Sequence, residues 1–215
     1  MKRIAFFLDF ISPYSYLAFE QLPQALQGLS YEVVYRPVLL GGILQALGQL
    51  GPAEVPGKRE WTYRQVLWLA RQHGVPLRMP AVHPFNPLPL LRLALACGQG
   101  GAINRHVCET VLRHVWTGGA DAVDPQRLAQ LRTTLAPARD PDAADVKGEL
   151  RANTDAALAH GVFGVPTMEV DGRLFWGFDA LPMLRAWLDG DAWFDSGDWD
   201  AAARTSVGIQ RARPG

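Results

Sequence analysis

The stretch Phe10-Ile11-Ser12-Pro13-Tyr14-Ser15-Tyr16-Leu17 joins two different patterns. Before it, Lys2 to Phe10 is almost continuously apolar, as in a strand buried on both faces of a sheet. After it, Pro13 to Leu26 reads as a helix, with Ser12 as N-cap and Pro13 at the first helical position. A strand therefore runs straight into a helix N-terminus, with a hydroxyl where the first amides have no partner. Such an end favours anions through its free N–H groups and the macrodipole. A thiolate is one such anion.

Working outward, Glu32-Val33-Val34-Tyr35-Arg36 reads as a second strand, stopped by Pro37. Strand, helix and strand of this length predict a right-handed βαβ unit with a parallel pair. From Val38 to about His160 no strand pattern is convincing. Residues 41–57 are rich in Gly and Pro and read as short helix and loop. Helices are predicted over Arg59–His73, Leu90–Cys97, Ile103–Trp116, from Asp124-Pro125 onward and over Ala143–His160. Between the first two, Pro76, Pro80, Pro84, Pro87 and Pro89 require an extended, stiff loop. Strand character returns at Pro166–Val170 and Arg173–Trp176, and the Asp171-Gly172 between them is a two-residue hairpin signal. A helix over Leu181–Leu188 closes the core. Trp193, Phe194 and Trp199 are expected to pack back on the body, and the last ten residues to be mobile. The order β-α-β, helical block, β-β-α predicts an α/β protein: a thioredoxin-like fold with a large all-helical insertion. Its expected parts are 1–38 with 161–190, the inserted 39–160, and an extension over 191–215.

At 215 residues the chain can bury a substantial core. Lys plus Arg and Asp plus Glu are 21 each, so no global field recruits nucleic acid or an anionic membrane. The opening Met1-Lys2-Arg3 and apolar run is not read as a signal peptide, because Asp9 and Pro13 interrupt it and no small-residue cleavage site follows. No segment approaches the roughly 18 apolar residues of a membrane span. Cys97 and Cys108 form no C-x-x-C and are too few for a disulfide framework, which points to a reducing cytoplasm. The five histidines show no helical pairing, so no metal site is expected.

Asp9-Phe10-x-Ser12-Pro13-Tyr14-Ser15-Tyr16-Leu17-Ala18 and Gly161-Val162-Phe163-Gly164-Val165-Pro166-Thr167 together resemble the glutathione-dependent 2-hydroxychromene-2-carboxylate isomerases. These group with the kappa-class glutathione transferases, which have a thioredoxin fold carrying an inserted helical domain. Val55-Pro56-Gly57-Lys58, His83-Pro84-Phe85-Asn86 and Trp176-Gly177-Phe178-Asp179 are intermediate matches, and the resemblance runs over about Lys2 to Leu188. It implies that Ser12-Pro13-Tyr14-Ser15 occupies the place of the thioredoxin C-x-x-C, so the site has no redox sulfur of its own. It also implies a cis Val165-Pro166 bond, with Val165 pairing strand-like with an extended peptide such as glutathione.

On this resemblance Ser12 donates a hydrogen bond to the glutathione thiolate. Such a bond contributes about 1.5–3 kcal/mol and the helix end roughly 0.3–1. Together they would lower a thiol pKa of ~8.5 by about one to three units. The alternative is a plain N-cap. Lys58 and Asp179 match family contacts to glutathione, against a solvated lysine and a plain N-cap. Gln49 stands where the family usually has asparagine, and Ala180 where its motif continues with arginine, which would weaken the hold on a carboxylate. Trp61, Phe85, Asn86 and Trp176 are candidates to line a pocket for a small aromatic substrate, against core or loop-turn roles. Asp9 is either a proton-handling carboxylate or a polar group satisfied by nearby backbone; the second is favoured. Family members are commonly dimers, and nothing in the residues themselves indicates one. The implied reaction is isomerisation of an aromatic-catabolism intermediate, as in naphthalene degradation. Conjugation by a kappa-type transferase and a redox-inactive peptide-binding module are the alternatives.

Overall fold

In the computed structural model, which describes residues 1–209, the central element is the strand β1 (Lys2–Leu8). Ile4, Phe6 and Leu8 enter the larger core cluster and Phe7 a second one on the opposite face. Alternating side chains buried on both sides require layers on both faces, and the chain supplies them. After β1 come α1 (Pro13–Ala25), β2 (Tyr31–Pro37), α2 (Leu40–Ala46) and α3 (Lys58–Gln72). Then follow α4 (Leu88–Ala96), α5 (Arg105–Trp116), α6 (Pro125–Leu135) and α7 (Ala144–Ala159). The chain returns through β3 (Thr167–Val170), β4 (Arg173–Trp176) and α8 (Leu181–Asp189), and a short α9 (Asp198–Ala203) follows.

The sheet order is β2-β1-β3-β4. β1 is parallel to β2, with Phe6 opposite Tyr35, and antiparallel to β3, with Phe6 opposite Met168. β3 and β4 form the hairpin expected at Asp171-Gly172. Both turn residues have positive φ (51° and 78°), the geometry that suits a two-residue connection to strand twist. The smaller cluster packs Phe7, Val38 and Ile43 against Ala157, Val162 and Val165. The larger cluster joins β1 and α1 to the inserted helices, with Trp116 and Tyr16 fully buried.

The regular elements described in the inserted segment are helical, and two isolated bridges interrupt them: Gln99 with Ala102, and Ile103, whose N–H donates to the Tyr35 carbonyl of β2. The inserted helices are tied together by Arg139. It bonds Glu149 and Asp145 of α7 and the carbonyls of Leu95 and Gly98 at the end of α4. Beyond α8, Phe194 is buried and Trp199 packs against Phe175, while Trp193 touches Phe194 but stays 44% exposed. Of the segment expected to be mobile, 210–215 lies outside the described residues. No helix among the described residues is long and apolar enough to cross a membrane.

Candidate active site

The β1–α1 junction is fixed from four sides. Asp9, fully buried, accepts from Ile11 N–H at 3.2 Å and from Leu40 N–H of α2 at 2.9 Å. It is thus satisfied by backbone, and burial without a cationic partner pushes its pKa up to about 7. Trp116 of α5 donates its indole N–H to the Phe10 carbonyl at 3.0 Å. The Ile11 carbonyl accepts from His83 Nε2 at 2.8 Å, and Ser12 N–H donates to the Asp9 carbonyl at 3.1 Å.

Ser12 caps α1: its Oγ accepts from Ser15 N–H at 3.2 Å. The same hydroxyl donates to the Val165 carbonyl at 3.3 Å, and Val165-Pro166 is cis. At 3.3 Å that bond is longer than an ordinary O–H···O bond of about 2.5–3.0 Å, so the proton is weakly held. Among the described residues nothing accepts from the Val165 N–H. Ser15, three residues along α1, is fully buried and its hydroxyl has no partner. Cys108 is buried and Cys97 lies at the end of α4, so neither thiol belongs to this junction. Burial pushes both thiols up, which keeps them protonated.

Tyr14, in the first turn of α1, donates to Gln65 Oε1 of α3 at 2.7 Å. Burial and then the Asp179 carboxylate raise its phenol pKa, which puts Asp179 within electrostatic reach of the start of α1. Asp179 lies in the turn Phe178–Ala180 ahead of α8. Gly177 permits that approach: its φ is 100°, and a Cβ there would collide with Asp179 Oδ1. Gly177 N–H donates to the Pro166 carbonyl at 2.9 Å, tying this turn to the cis proline. Lys58, exposed, is the first residue of α3 and follows Gly57, whose φ is 81°. Gln49 is exposed in the turn after α2, with its backbone N–H on Leu44 O. Ala180 is buried in the larger core and presents no charge.

None of the four candidates for a substrate pocket lines either of the two best-formed cavities. Trp61 is 64% exposed on α3 and Trp176 53% exposed on β4, where it packs on Phe163 at 4.8 Å. Phe85 is a core residue against the His83 ring. Asn86 accepts from Leu88 N–H, so its side chain oxygen closes the turn into α4. Two cavities of about 400 and 420 Å³ lie elsewhere, one over Ala5, Phe7 and Val34 of the sheet, the other between Leu39, Leu88 and Leu150. Among the described residues no cluster of His, Cys, Asp and Glu is fit to hold a metal.

Three residues at the junction carry no functional signal of their own in the sequence: His83, Tyr63 and Trp116. His83 and Tyr63 form a pair at the junction, with Tyr63 Oη 2.7 Å from Nδ1. In the sequence Trp116 figures only as the last residue of the helix expected over Ile103–Trp116. The motif His83-Pro84-Phe85-Asn86 was the one available signal for the first.

The chain is similar to known proteins over most of its length. The DSBA-like thioredoxin domain matches residues 3–189. A protein of Sphingobium xenophagum named 2-hydroxychromene-2-carboxylate isomerase is 31% identical over 87% of this chain and 98% of its own. Rat glutathione S-transferase kappa 1 is 29% identical over 89% of this chain and 92% of its own. A solved 2-hydroxychromene-2-carboxylate isomerase superposes with a TM-score of 0.73 at 23% identity, covering 94% of this chain and all of that one.

Proposed function

The chain belongs to the DSBA-like thioredoxin domain family, and from that premise we propose that it is a glutathione-dependent cis/trans isomerase. Its substrate is 2-hydroxychromene-2-carboxylate or a close analogue from aromatic catabolism, in a cytoplasmic setting. The observation that carries the reading is the Ser12 hydroxyl, weakly held between α1 and the Val165 carbonyl beside a cis proline, with no cysteine at the junction. A redox site without its own sulfur suits a borrowed one.

Glutathione binds as an extended peptide along Val165, whose N–H has no partner among the described residues. Its sulfur lies at the N-terminus of α1, where Ser12 turns its proton from the Val165 carbonyl to the thiolate. Lys58 and Asp179 hold the carboxylate and ammonium ends, and Gln49 adds an amide. The thiolate forms a C–S bond to a conjugated carbon of the ring-opened substrate, and the electron pair moves to the carbonyl oxygen. The former double bond rotates as a single bond. Collapse of the enolate expels the thiolate and leaves trans-o-hydroxybenzylidenepyruvate, with no net oxidation. The protein contributes orientation and preorganised donors. Trp61 and Trp176, both exposed, offer aromatic surface for the substrate ring.

A second reading is a kappa-type transferase that leaves glutathione attached to an electrophile; the 29% identity to the rat enzyme favours it. Product analysis separates the two. Incubation with glutathione and the chromene carboxylate gives free isomer and full recovery of glutathione on the first reading. A stable conjugate overturns it. Conversion no faster than the background without protein overturns the first reading.

A further inference from the structure

His83 lies in the proline-rich loop between α3 and α4, yet it holds the peptide unit that carries the Ser12 nitrogen. Its Nε2 is 2.8 Å from the Ile11 carbonyl. A carbonyl only accepts, so the proton must be on Nε2. In the neutral ring Nδ1 is then an acceptor, and Tyr63 Oη lies 2.7 Å from it. The same hydroxyl is 2.9 Å from the His83 carbonyl, so its single proton is shared between the ring nitrogen and that carbonyl as a three-centre bond. The imidazole is walled by Trp116 at 5.5 Å and Phe85 at 6.0 Å. Burial holds its pKa below the usual histidine range, which keeps the ring neutral at pH 7.

The Ile11–Ser12 peptide unit is held at both ends. Its N–H donates to the Asp9 carbonyl and its C=O accepts from His83. A twist of that plane swings the Ser12 side chain, and a hydroxyl–thiolate bond weakens steeply with angle. We propose that His83 is a positioning residue that aims the Ser12 hydroxyl at the bound sulfur, with Tyr63 fixing the required tautomer. It rests on the reading of the site as a glutathione site and deepens it. The inserted segment would thereby tune the acidity of a thiol that it does not itself touch.

The test uses the full chain and two replacements at one position. His83→Leu removes the donor, whereas His83→Gln keeps an N–H near the place of Nε2. Bound glutathione is titrated by its ultraviolet thiolate absorption, and affinity for S-methylglutathione is measured beside it. His83→Leu is expected to raise the bound thiol pKa by about half a unit to one unit, a three- to ten-fold weaker ionisation. S-methylglutathione affinity should stay within about two-fold, since that ligand has no thiolate to stabilise. His83→Gln should restore most of the acidity, and Tyr63→Phe should lose part of it. A wild-type bound thiol no more acidic than free glutathione overturns the glutathione reading itself. An acidified wild type with an unchanged His83→Leu overturns the role of His83 alone. Equal losses of S-methylglutathione affinity and acidity mean general loosening and also overturn it. If the leucine variant does not fold, Tyr63→Phe and His83→Gln carry the test: a Tyr63→Phe thiol as acidic as wild type, or a folded His83→Gln as weak as free glutathione, refutes the proposal.

Discussion

Replacing Ser12 with alanine deletes one oxygen that holds two contacts, and their separate effects can be worked out. The first is the cap on α1, Ser15 N–H to Oγ at 3.2 Å. Its loss costs about 1 kcal/mol of stability, within the range 0.5–2 for serine caps. The second is the donor now resting on Val165 O at 3.3 Å. Because that bond is long, transferring the proton to a thiolate gives up little. The bond gained is to a charged acceptor and contributes about 1.5–3 kcal/mol. At ~1.36 kcal/mol per unit, Ser12→Ala should raise the bound thiol pKa by about one to two units. The helix N-terminus remains, so the thiol should still be slightly more acidic than free glutathione. Turnover at pH 7 should fall by about ten-fold or more while glutathione still binds. Ser12→Gly separates the two contributions, since glycine at an N-cap costs only a few tenths of a kcal/mol yet also lacks the hydroxyl. Ultraviolet titration of bound glutathione and thermal unfolding of both variants give the two numbers. Unchanged thiol pKa in both variants would refute the assignment and leave Ser12 a cap.

Other residues give further expectations. Asp9 has a folded pKa of about 7 against 3.8, so the folded state prefers its protonated form. Its contribution is full below about pH 4 and is lost as pH rises through 7, by up to about 4 kcal/mol. Asp9→Asn should lack that decline, read as the difference in urea midpoints at pH 5 and pH 7.5; parallel pH slopes would contradict it. Asp179→Asn and Lys58→Ala should raise KM for glutathione several-fold with a smaller change in kcat, and a fall in kcat alone would argue against contacts to the ligand ends. Trp116→Phe leaves the buried Phe10 carbonyl without its donor. It should cost about 1–3 kcal/mol in denaturant unfolding.

The legible parts of the fold are those governed by local chemistry. Ser12-Pro13 fixes the start of α1 through a cap and a preset φ, and Asp171-Gly172 fixes the hairpin through positive φ. Helix limits such as Arg59–His73 against the observed Lys58–Gln72 differ by one residue because propensity and breakers act at short range. The cis Val165-Pro166 bond follows from the family resemblance, whereas no local signal marks His83-Pro84, which is also cis. Less visible was what tertiary packing assembles. The bond from His83 to Ile11 spans 72 positions and that from Trp116 to Phe10 spans 106. In the sequence the first is a loop histidine and the second an apolar helix residue. Phe85 and Asn86 show the converse: near a motif they suggest a pocket, and in the fold one is core and the other closes a turn. Ala180 is likewise buried, so the arginine absent from that position has no substitute on the same residue.

With no cysteine at the β1–α1 junction, the reacting sulfur must be borrowed if the protein works by thiolate addition. Conversion of 2-hydroxychromene-2-carboxylate should therefore be measured with no thiol, with glutathione and with S-methylglutathione. Turnover is expected with glutathione alone, with inhibition when the methylated peptide is added. Turnover at the same rate without any thiol, or with S-methylglutathione in its place, would contradict it.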